Sequence, residues 1–257
     1  MAETRGARPQ VVLEVLTTER IGEHLVRVVA GGPGFADYEN NSSTDRYAKL
    51  FFTPAGSPLE PPYDLAVIRK TLPQDQWPVV RTYTLRSIGE DHLVIDFVVH
   101  GAEGVAGPWA AAARPGDRFA LAGPGGAYAP DPAADWHLLA GDLSAFPAIA
   151  AALEAMPSDA RGHAYIEAHE LSVAAPAGVI VHWVDDLAEA VRAGEWLPGS
   201  PQVFAHGERE SMKALREIFR TRGMPRERLS LSGYWARGRT EDRFQAEKRE
   251  PVGQIPD

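Results

Sequence analysis

VVRTYTLRSI, residues 79–88, has the alternation of a β-strand but carries two arginines, a tyrosine and two threonines in one short group. Successive side chains on a strand point to opposite faces, so Arg81 and Tyr83 share one face and Thr84 lies on the other. Two interpretations fit this group: a solvated sheet face with a cross-strand Tyr/Arg pair, or a platform for a large, flat, negatively charged cofactor. Taken alone, the strand slightly favours the solvated face.

The residues around this strand predict six strands and one short helix. Runs of alternating hydrophobicity bounded by turn residues are typical of strands. The predicted strands are VVLEVLTTE, HLVRVVAGG, YAKLFFTP, VVRTYTLRSI, HLVIDFVVHG and PGDRFALAGP, and the predicted helix is PWAAAARP. Four prolines make residues 54–64 an irregular connection. Six short strands of this kind indicate a small, closed antiparallel barrel.

The pattern changes near residue 124, where GPGGAYAPDPAAD has the composition of a linker. Five further strands then alternate with helices, namely WHLLAGDLS, GHAYIEAHE, GVIVHWVDD, QVFAHGERE and LSLSGYW. Alternation at this spacing predicts a parallel α/β sheet. The expected organisation is a six-stranded antiparallel barrel over 1–126, a parallel α/β domain over 127–240 and a charged C-terminal tail over 241–257.

The composition argues against several classes of function. The chain of 257 residues has no cysteine, which excludes disulfides, thiolate catalysis and iron–sulfur clusters. A formal net charge of −9 gives no overall basic field for nucleic acid. The eight histidines lack ligand spacing, so we expect no metal site. No apolar run could span a membrane and no signal peptide begins the chain, so we expect a cytoplasmic protein. We also expect a monomer.

A flavin dinucleotide would use each member of the Arg81 group differently. Its ring stacks on an aromatic side chain such as Tyr83, and its ring edge accepts hydrogen bonds from a hydroxyl such as that of Thr84. Its diphosphate is bound by a guanidinium such as that of Arg81. Downstream, HGAEGVAGPWA is a glycine-rich loop leading into a helix, a second feature suited to phosphate. Two such features close together favour the cofactor platform.

The order of motifs resembles the siderophore-interacting protein family, which comprises flavin-dependent ferric-siderophore reductases of the ferredoxin–NADP reductase-like superfamily. The resemblance covers roughly residues 11–240. It rests on R-x-Y-[TS]-x-R followed by D-F-V-V-H-G, G-P-W-A and P-G-D, and on R-V-V-A-G-G, D-R-Y-A-K-L-F-F, L-A-G-D-L-S-A-F-P-A-I, H-G-E and S-G-Y-W-A-R-G.

The resemblance implies roles for particular residues, carried over by motif. For FAD, Arg81 would hold the diphosphate, Tyr83 would stack on the ring and Thr84 would meet its edge. The other implied contacts to FAD are His100, Gly101, Gly104, Val105, Ala106 and Gly107. Asp142 and Ser144 would lie where NADH or NADPH enters, and Lys49 would attract an anionic ferric siderophore. The redox cleft would be lined by Tyr83, Thr84, Glu208, Tyr234 and Trp235. No side chain is expected to act as nucleophile or general base.

The α/β half departs from the family pattern at two places. Leu143 and Ser144 replace the usual acidic and threonine pair after G-D, and the strand over 179–184 is followed by acidic residues where a basic one is expected. The choice between NADH and NADPH therefore stays open. Glu167 and Glu170, at the end of a strand, would repel a 2′-phosphate and favour NADH weakly.

The implied function is reduction of ferric siderophores by NAD(P)H through FAD, with release of Fe(II), in iron transport and homeostasis. Two alternatives stay open. The chain could be another NAD(P)H-dependent flavin reductase of the same superfamily that passes electrons to a protein or to free flavin. It could also be a non-enzymatic module that binds a siderophore. The siderophore itself and the role of Arg86 are not indicated.

Overall fold

The protein folds into two compact units in a computed structural model that describes residues 9–54, 56–101 and 104–255. The first unit comprises the chain up to Ser42 together with Arg46–Gly126. The second comprises Ser43–Asp45 together with the chain from Ala127 onward. The description below takes each unit by itself.

The first unit contains the predicted closed barrel, with neighbouring strands in the order β1-β2-β5-β4-β3-β6 and every pair antiparallel. The prediction of a six-stranded antiparallel barrel is confirmed. The strands are β1 (Val11–Gly22), β2 (Leu25–Gly31), β3 (Tyr47–Phe52), β4 (Val79–Ile88), β5 (His92–Val98) and β6 (Arg118–Gly125).

Alternation along the strands fills the barrel with apolar side chains. Leu50 and Leu85, on adjacent strands, are fully buried, as is Phe119 on β6. Each such side chain contributes about 1.5–3 kcal/mol to folding when it leaves water. Helix α2 (Ala106–Ala112) adds Trp109, whose ring lies 5.3 Å from that of Phe119 and 5.2 Å from that of Phe52. The helix is thereby anchored to the barrel core.

A cross-strand ion pair connects β2 and β5. Arg27 and Asp96 are partners in the sheet register, and the guanidinium donates to both carboxylate oxygens at 2.7 and 2.8 Å. Asp96 is buried while Arg27 is partly exposed. A bidentate pair of this kind fixes the geometry of two strands as well as neutralising the carboxylate.

The prediction of a single helix in this half was wrong, because a short helix α1 (Leu65–Thr71) follows the proline-rich connection. The Asp64 side chain caps it by accepting from the backbone N–H groups of Ala66 and Val67. Ile68 packs with Phe51 in an apolar cluster beside the barrel. An N-cap aspartate before an apolar run was the available sequence signal.

The second unit contains the predicted parallel sheet, with strand order β11-β10-β7-β8-β9. Every residue of the central strand β7 is buried, as expected for a strand covered on both faces. The strands are β7 (Trp136–Asp142), β8 (Arg161–Glu167), β9 (Gly178–Val184), β10 (Pro201–Glu208) and β11 (Leu229–Trp235), and the helices among them are α3 (Phe146–Ala155), α4 (Leu187–Ala193) and α5 (Arg209–Thr221).

The charged segment after residue 240 contains a short helix, α6 (Glu241–Glu247), and clusters by its contacts with the second unit. Phe244 is buried, and so is the carboxylate of Glu247. This carboxylate accepts hydrogen bonds from Arg209 at 2.6 Å, Arg239 at 2.7 Å and Arg243 at 2.8 Å. The hydrogen bond from Arg209 is the largest of the effects that lower the pKa of Glu247, to about 2.

Glu247→Gln should lower the Tm by several degrees at pH 7, because the buried Arg209 guanidinium loses the closer of its two carboxylate partners and keeps only the exposed Glu210. The folded-state pKa of Glu247 lies below its ordinary value of 4.5, so the carboxylate stabilises the fold above that value and loses its effect as the pH falls towards 2. Thermal unfolding from pH 7 to pH 3 should therefore show the difference between wild type and variant shrinking.

The matched control is Glu217→Gln, which removes a carboxylate from an exposed pair with Arg220. Exposed pairs contribute little, so its Tm should stay close to that of wild type. Equal effects of the two substitutions would contradict the role given to Glu247.

Candidate functional site

The aromatic member of the Arg81 group lies at one end of the barrel core. Tyr83 is partly buried and packs on Phe97, with ring centroids 4.4 Å apart. Phe97 in turn contacts Trp109 of α2, at 5.6 Å between centroids. Tyr83 and the helix that follows the glycine-rich loop therefore share one buried neighbour. The structure brings together the two features that the sequence suggested for a flavin dinucleotide.

The other members of the group occupy defined positions on β4. Arg81 pairs with Leu50 in register, is partly exposed, and donates to the Val80 carbonyl at 2.8 Å. Thr84 pairs with Tyr47 on β3 and is largely buried. A register shift between Leu85 and Ser87 interrupts the pairing of β4 with β5. The bulge falls on Arg86.

The glycine-rich loop has backbone geometry that suits a close ligand. Gly101 and Gly104 have φ values of 63° and 81°, a conformation that favours glycine. A Cβ built on either residue would meet no heavy atom within 4 Å, so open space adjoins both. His100 is exposed. Val105 precedes α2, and Ala106 and Gly107 are the first two residues of that helix.

Lys49 has a partner that the sequence analysis did not identify. Its ammonium group donates to the hydroxyl of Thr82, the residue opposite it in the β3–β4 register, at 2.5 Å. The pairing holds an otherwise flexible side chain in one direction on the outer side of the barrel wall. Alternation along β4 places Thr82 on the same face as Thr84. The contact with Lys49 could not be predicted from the sequence, because it depends on the register between β3 and β4.

Asp142, at the carboxyl end of β7, joins three strands of the second unit. One carboxylate oxygen accepts from the backbone N–H and hydroxyl of Ser144, at 2.9 and 2.5 Å. The other accepts from the Glu208 backbone N–H at 2.8 Å and from the Trp235 indole N–H at 2.7 Å. A carboxylate has about four acceptor sites, so these four donors occupy them. Asp142 shapes this end of the sheet rather than offering an open acceptor.

Glu208 is similarly engaged within the fold. Its side chain caps α5 by accepting from the backbone N–H groups of Glu210 and Ser211. The second carboxylate oxygen accepts from the Arg237 backbone N–H at 3.0 Å, which holds the segment after β11. Gly207, just before it, has φ 151°, and a Cβ there would lie 2.8 Å from an oxygen of Asp142. Only glycine leaves room for the Asp142 carboxylate.

The two aromatic residues predicted at the end of β11 have different neighbours. Trp235 is 39% exposed and is held through its N–H by Asp142. Tyr234 is partly buried, and its hydroxyl lies 2.9 Å from Nδ1 of His206. His206 was not among the predicted site residues, although it begins the H-G-E motif.

Glu167 ends β8, next to Asp142 in the sheet register. One of its oxygens accepts from the Leu187 backbone N–H at 3.4 Å. Burial raises the pKa of this carboxyl, with a further contribution from the charge of Asp142. In nucleotide-binding α/β folds, the acidic residue that contacts the ribose follows the first βα turn by about 20 residues. Glu167 follows Asp142 at a comparable spacing.

Two features are absent from the described ranges. No helix in them has the length and apolar character needed to cross a membrane. Nor do these ranges hold three or more His, Asp or Glu side chains grouped as metal ligands.

Comparisons with known proteins assign both halves of the chain to one family. A family described as "Siderophore-interacting FAD-binding domain" matches residues 14–128, and one described as "Siderophore-interacting protein" matches residues 134–238. The chain belongs to the siderophore-interacting protein family, as its motifs suggested. Its fold is shared with the ferredoxin reductase of carbazole 1,9a-dioxygenase, which has a TM-score of 0.61 at 17% identity and covers 89% of this chain and 66% of that one.

Three similar proteins illustrate the range of the family. Uncharacterized protein Rv2895c of Mycobacterium tuberculosis is 46% identical, covering 95% of this chain and 96% of its own. Ferric vibriobactin reductase ViuB of Vibrio cholerae is 35% identical, covering 92% of this chain and 93% of its own. The crystal structure of the siderophore-interacting protein SipS from Aeromonas hydrophila has a TM-score of 0.78 at 27% identity, covering 96% of this chain and 99% of that one.

The barrel contains groups of the kinds that bind FAD. Arg81 supplies a guanidinium, Tyr83 supplies an aromatic ring, and Gly101 and Gly104 leave open space where side chains would otherwise stand. Charge-assisted hydrogen bonds from a guanidinium suit a diphosphate, and an aromatic ring suits a flat heterocycle. The residues present therefore fit the cofactor that the family description names.

Asp142→Asn should destabilise the protein, because an NH₂ group replaces one of the two carboxylate oxygens. Each oxygen accepts hydrogen bonds from two donors, and an NH₂ group cannot accept them. A buried donor left without its partner costs about 1–3 kcal/mol. Urea unfolding should show this loss, and a double-mutant cycle with Trp235→Phe should show coupling through the indole hydrogen bond.

Asp64→Asn is the matched control, since asparagine caps helices about as well as aspartate and Asp64 caps α1. Its free energy of unfolding should lie within about 0.5 kcal/mol of wild type. If the Asp142→Asn variant has the same free energy of unfolding as the wild type, the carboxylate does not organise this end of the sheet.

Proposed function

We propose that this protein is a flavin-dependent reductase that transfers electrons from NAD(P)H through FAD to ferric siderophores and releases iron as Fe(II). One observation carries the proposal: Tyr83 of the R-x-Y-T strand and the helix after the glycine-rich loop share Phe97 within the FAD-binding half of the chain. Relatedness to a ferric vibriobactin reductase supports the choice of acceptor.

In this proposal the barrel residues hold FAD. Arg81 binds the diphosphate, Tyr83 stacks on the ring and Thr84 meets its edge. His100 and Gly101 flank the cofactor, and the backbone N–H groups of residues 104–107 bind phosphate. Bound FAD supplies the conversion between a two-electron hydride donor and a one-electron ferric acceptor.

The α/β unit binds the coenzyme in this proposal. Asp142 positions Ser144 and the indole of Trp235, while Glu208 holds the start of α5. Ser144, Tyr234 and Trp235 then provide the contacts to the coenzyme. Ligands of open α/β sheets bind at the carboxyl ends of the strands, where these residues lie.

Lys49 provides the charge for an anionic ferric chelate. Because Thr82 holds its ammonium group in one direction, the cation is preorganised and little side-chain entropy is lost on binding. Reduction lowers the charge of the iron and weakens its attraction to hard oxygen donors, so the metal becomes exchangeable.

The decisive experiment is anaerobic stopped-flow spectroscopy of the FAD-loaded protein. NADH or NADPH should bleach the flavin absorbance, and a ferric siderophore should restore it while an Fe(II) chelator reports the product. A protein that cannot be loaded with FAD would support a siderophore-binding module instead. Reoxidation by protein acceptors or free flavin, and not by ferric chelates, would identify a different reductase of the superfamily.

Arg81→Ala and Lys49→Ala should separate the two binding functions. Arg81→Ala should weaken FAD binding at least about tenfold, the equivalent of one lost charge-assisted contact. Lys49→Ala should leave FAD binding unchanged and raise the KM for anionic ferric chelates several-fold. Fluorescence titration of FAD and steady-state reduction rates provide the measurements.

The control for Lys49 is Thr82→Val, which keeps the charge and removes its hydroxyl partner. Its KM should lie between those of wild type and Lys49→Ala. Equal effects of Arg81→Ala and Lys49→Ala on FAD binding would contradict the assigned roles.

Glu167 gives the protein a preference for NADH in this proposal, because its carboxylate repels a 2′-phosphate. Glu167→Gln should raise kcat/KM for NADPH relative to NADH by about tenfold, which corresponds to 1.4 kcal/mol. Since the pKa of Glu167 is raised, the preference should also weaken as the pH falls and the carboxyl becomes protonated.

Glu170→Gln is the control for nearby negative charge, because Glu170 lies on an exposed segment after β8. It should change the ratio far less than Glu167→Gln. A preference for NADPH in the wild type would refute the role of Glu167 without affecting the reductase proposal.

A further inference from the structure

A chain of three polar side chains runs between β10 and β11. His206 is buried on β10, and its two ring nitrogens contact different residues of β11. Nε2 lies 3.0 Å from the hydroxyl of Ser230, and Nδ1 lies 2.9 Å from the hydroxyl of Tyr234. Both ring nitrogens of His206 are therefore engaged, one with Ser230 and the other with Tyr234.

Aromatic packing fixes the imidazole in this position. The His206 ring stacks on Phe204 with centroids 3.9 Å apart, and it meets the ring of Tyr234 edge-on at 5.0 Å. A ring held on its face and edge can rotate little, so the direction of its hydrogen bond to Tyr234 is set by the core of the unit. At the other end of the chain, the Ser230 hydroxyl can rotate and so either donate or accept.

The imidazole is neutral, because burial and, to a smaller extent, the positive charge of Lys248 together lower the pKa of His206 to about 3. A neutral imidazole has one donor and one acceptor nitrogen. In one tautomer, Ser230 donates to Nε2 and Nδ1 donates to Tyr234. In the other, Tyr234 donates to Nδ1 and Nε2 donates to Ser230.

The tautomer determines what Tyr234 can do towards a ligand. When Nδ1 donates to it, the phenol can use its own proton to donate to a ligand carbonyl. When the phenol donates to Nδ1, its oxygen can accept from a ligand N–H. Because the Ser230 hydroxyl can reverse its role, either state keeps the buried imidazole satisfied.

We propose that Ser230 and His206 are positioning residues that orient the hydroxyl of Tyr234 for a hydrogen bond to the nicotinamide carboxamide of the coenzyme. A primary amide offers a carbonyl acceptor and an N–H donor, which a phenol with reversible polarity can address in either orientation. Tyr234 is near the carboxyl end of β11, next to Trp235. The inference rests on the proposed binding of NAD(P)H.

The test compares a full coenzyme with a fragment that lacks the nicotinamide. Titration calorimetry of the FAD-loaded protein would give Kd values for NAD⁺, NADP⁺ and ADP-ribose. Tyr234→Phe, which removes only the hydroxyl, should weaken binding of the preferred coenzyme about three- to tenfold, the range of one neutral hydrogen bond. Binding of ADP-ribose should not change.

Ser230→Ala reports on the remote end of the chain. It should weaken coenzyme binding in the same direction as Tyr234→Phe and by a smaller factor, again without affecting ADP-ribose. The double variant should be no weaker than Tyr234→Phe alone, because Ser230 acts through the tyrosine. Ser232→Ala is the matched control: Ser232 lies opposite His206 in the register but outside this chain, and its substitution should leave both Kd values unchanged.

Each other outcome overturns the inference. Equal weakening of coenzyme and ADP-ribose binding would show a structural role for the chain, and unchanged coenzyme binding in Tyr234→Phe would show no contact. If the wild type reduces ferric chelates with NAD(P)H and the Tyr234→Phe substitution does not change the Kd of the coenzyme, only this inference fails. If the wild type binds no coenzyme, the proposed function fails with it.

Discussion

The carboxylate of Asp142 is the constraint on which the α/β unit depends. Its partners come from the loop after its own strand, from the start of α5 and from the end of β11. A single side chain thus fixes the mutual positions of three strand ends, and Gly207 leaves room for it because it has no Cβ. Two backbone N–H groups, the Ser144 hydroxyl and the Trp235 indole N–H supply the donors that stabilise this buried carboxylate.

In the barrel, aromatic packing fixes the positions of neighbouring elements. Tyr83, Phe97 and Trp109 form a continuous series of ring contacts from β4 to α2. Because Trp109 also contacts Phe52 and Phe119, the series is anchored in the core. The two units therefore use different interactions, hydrogen bonds to a carboxylate in one and packed aromatic rings in the other, to hold the residues that we propose for cofactor binding.

Local patterns in the sequence were sufficient for the barrel, the parallel sheet and the family, because alternation, turn residues and the motif around Arg81 are each contained in a short stretch. The connections of Asp142 could not be read in this way, since Glu208 and Trp235 are 66 and 93 residues distant along the chain. His206 was overlooked for a similar reason: Ser230 and Tyr234 lie 24 and 28 residues away, and a lone histidine in a strand gives no indication of its partners. Helix α1 was missed because its capping Asp64 stands within a proline-rich stretch.

The C-terminal helix lies beyond the residues that the family description matches, which end at 238. Yet Glu247 of that helix neutralises Arg209, the buried first residue of α5 and the neighbour of Glu208. The family boundary is therefore not a physical boundary. A chain shortened to residue 238 would retain every motif by which the family is recognised, but the buried Arg209 guanidinium would lose the closer of its two carboxylate partners and keep only the exposed Glu210. Alignment of the shared region alone would therefore misjudge where this protein can be cut.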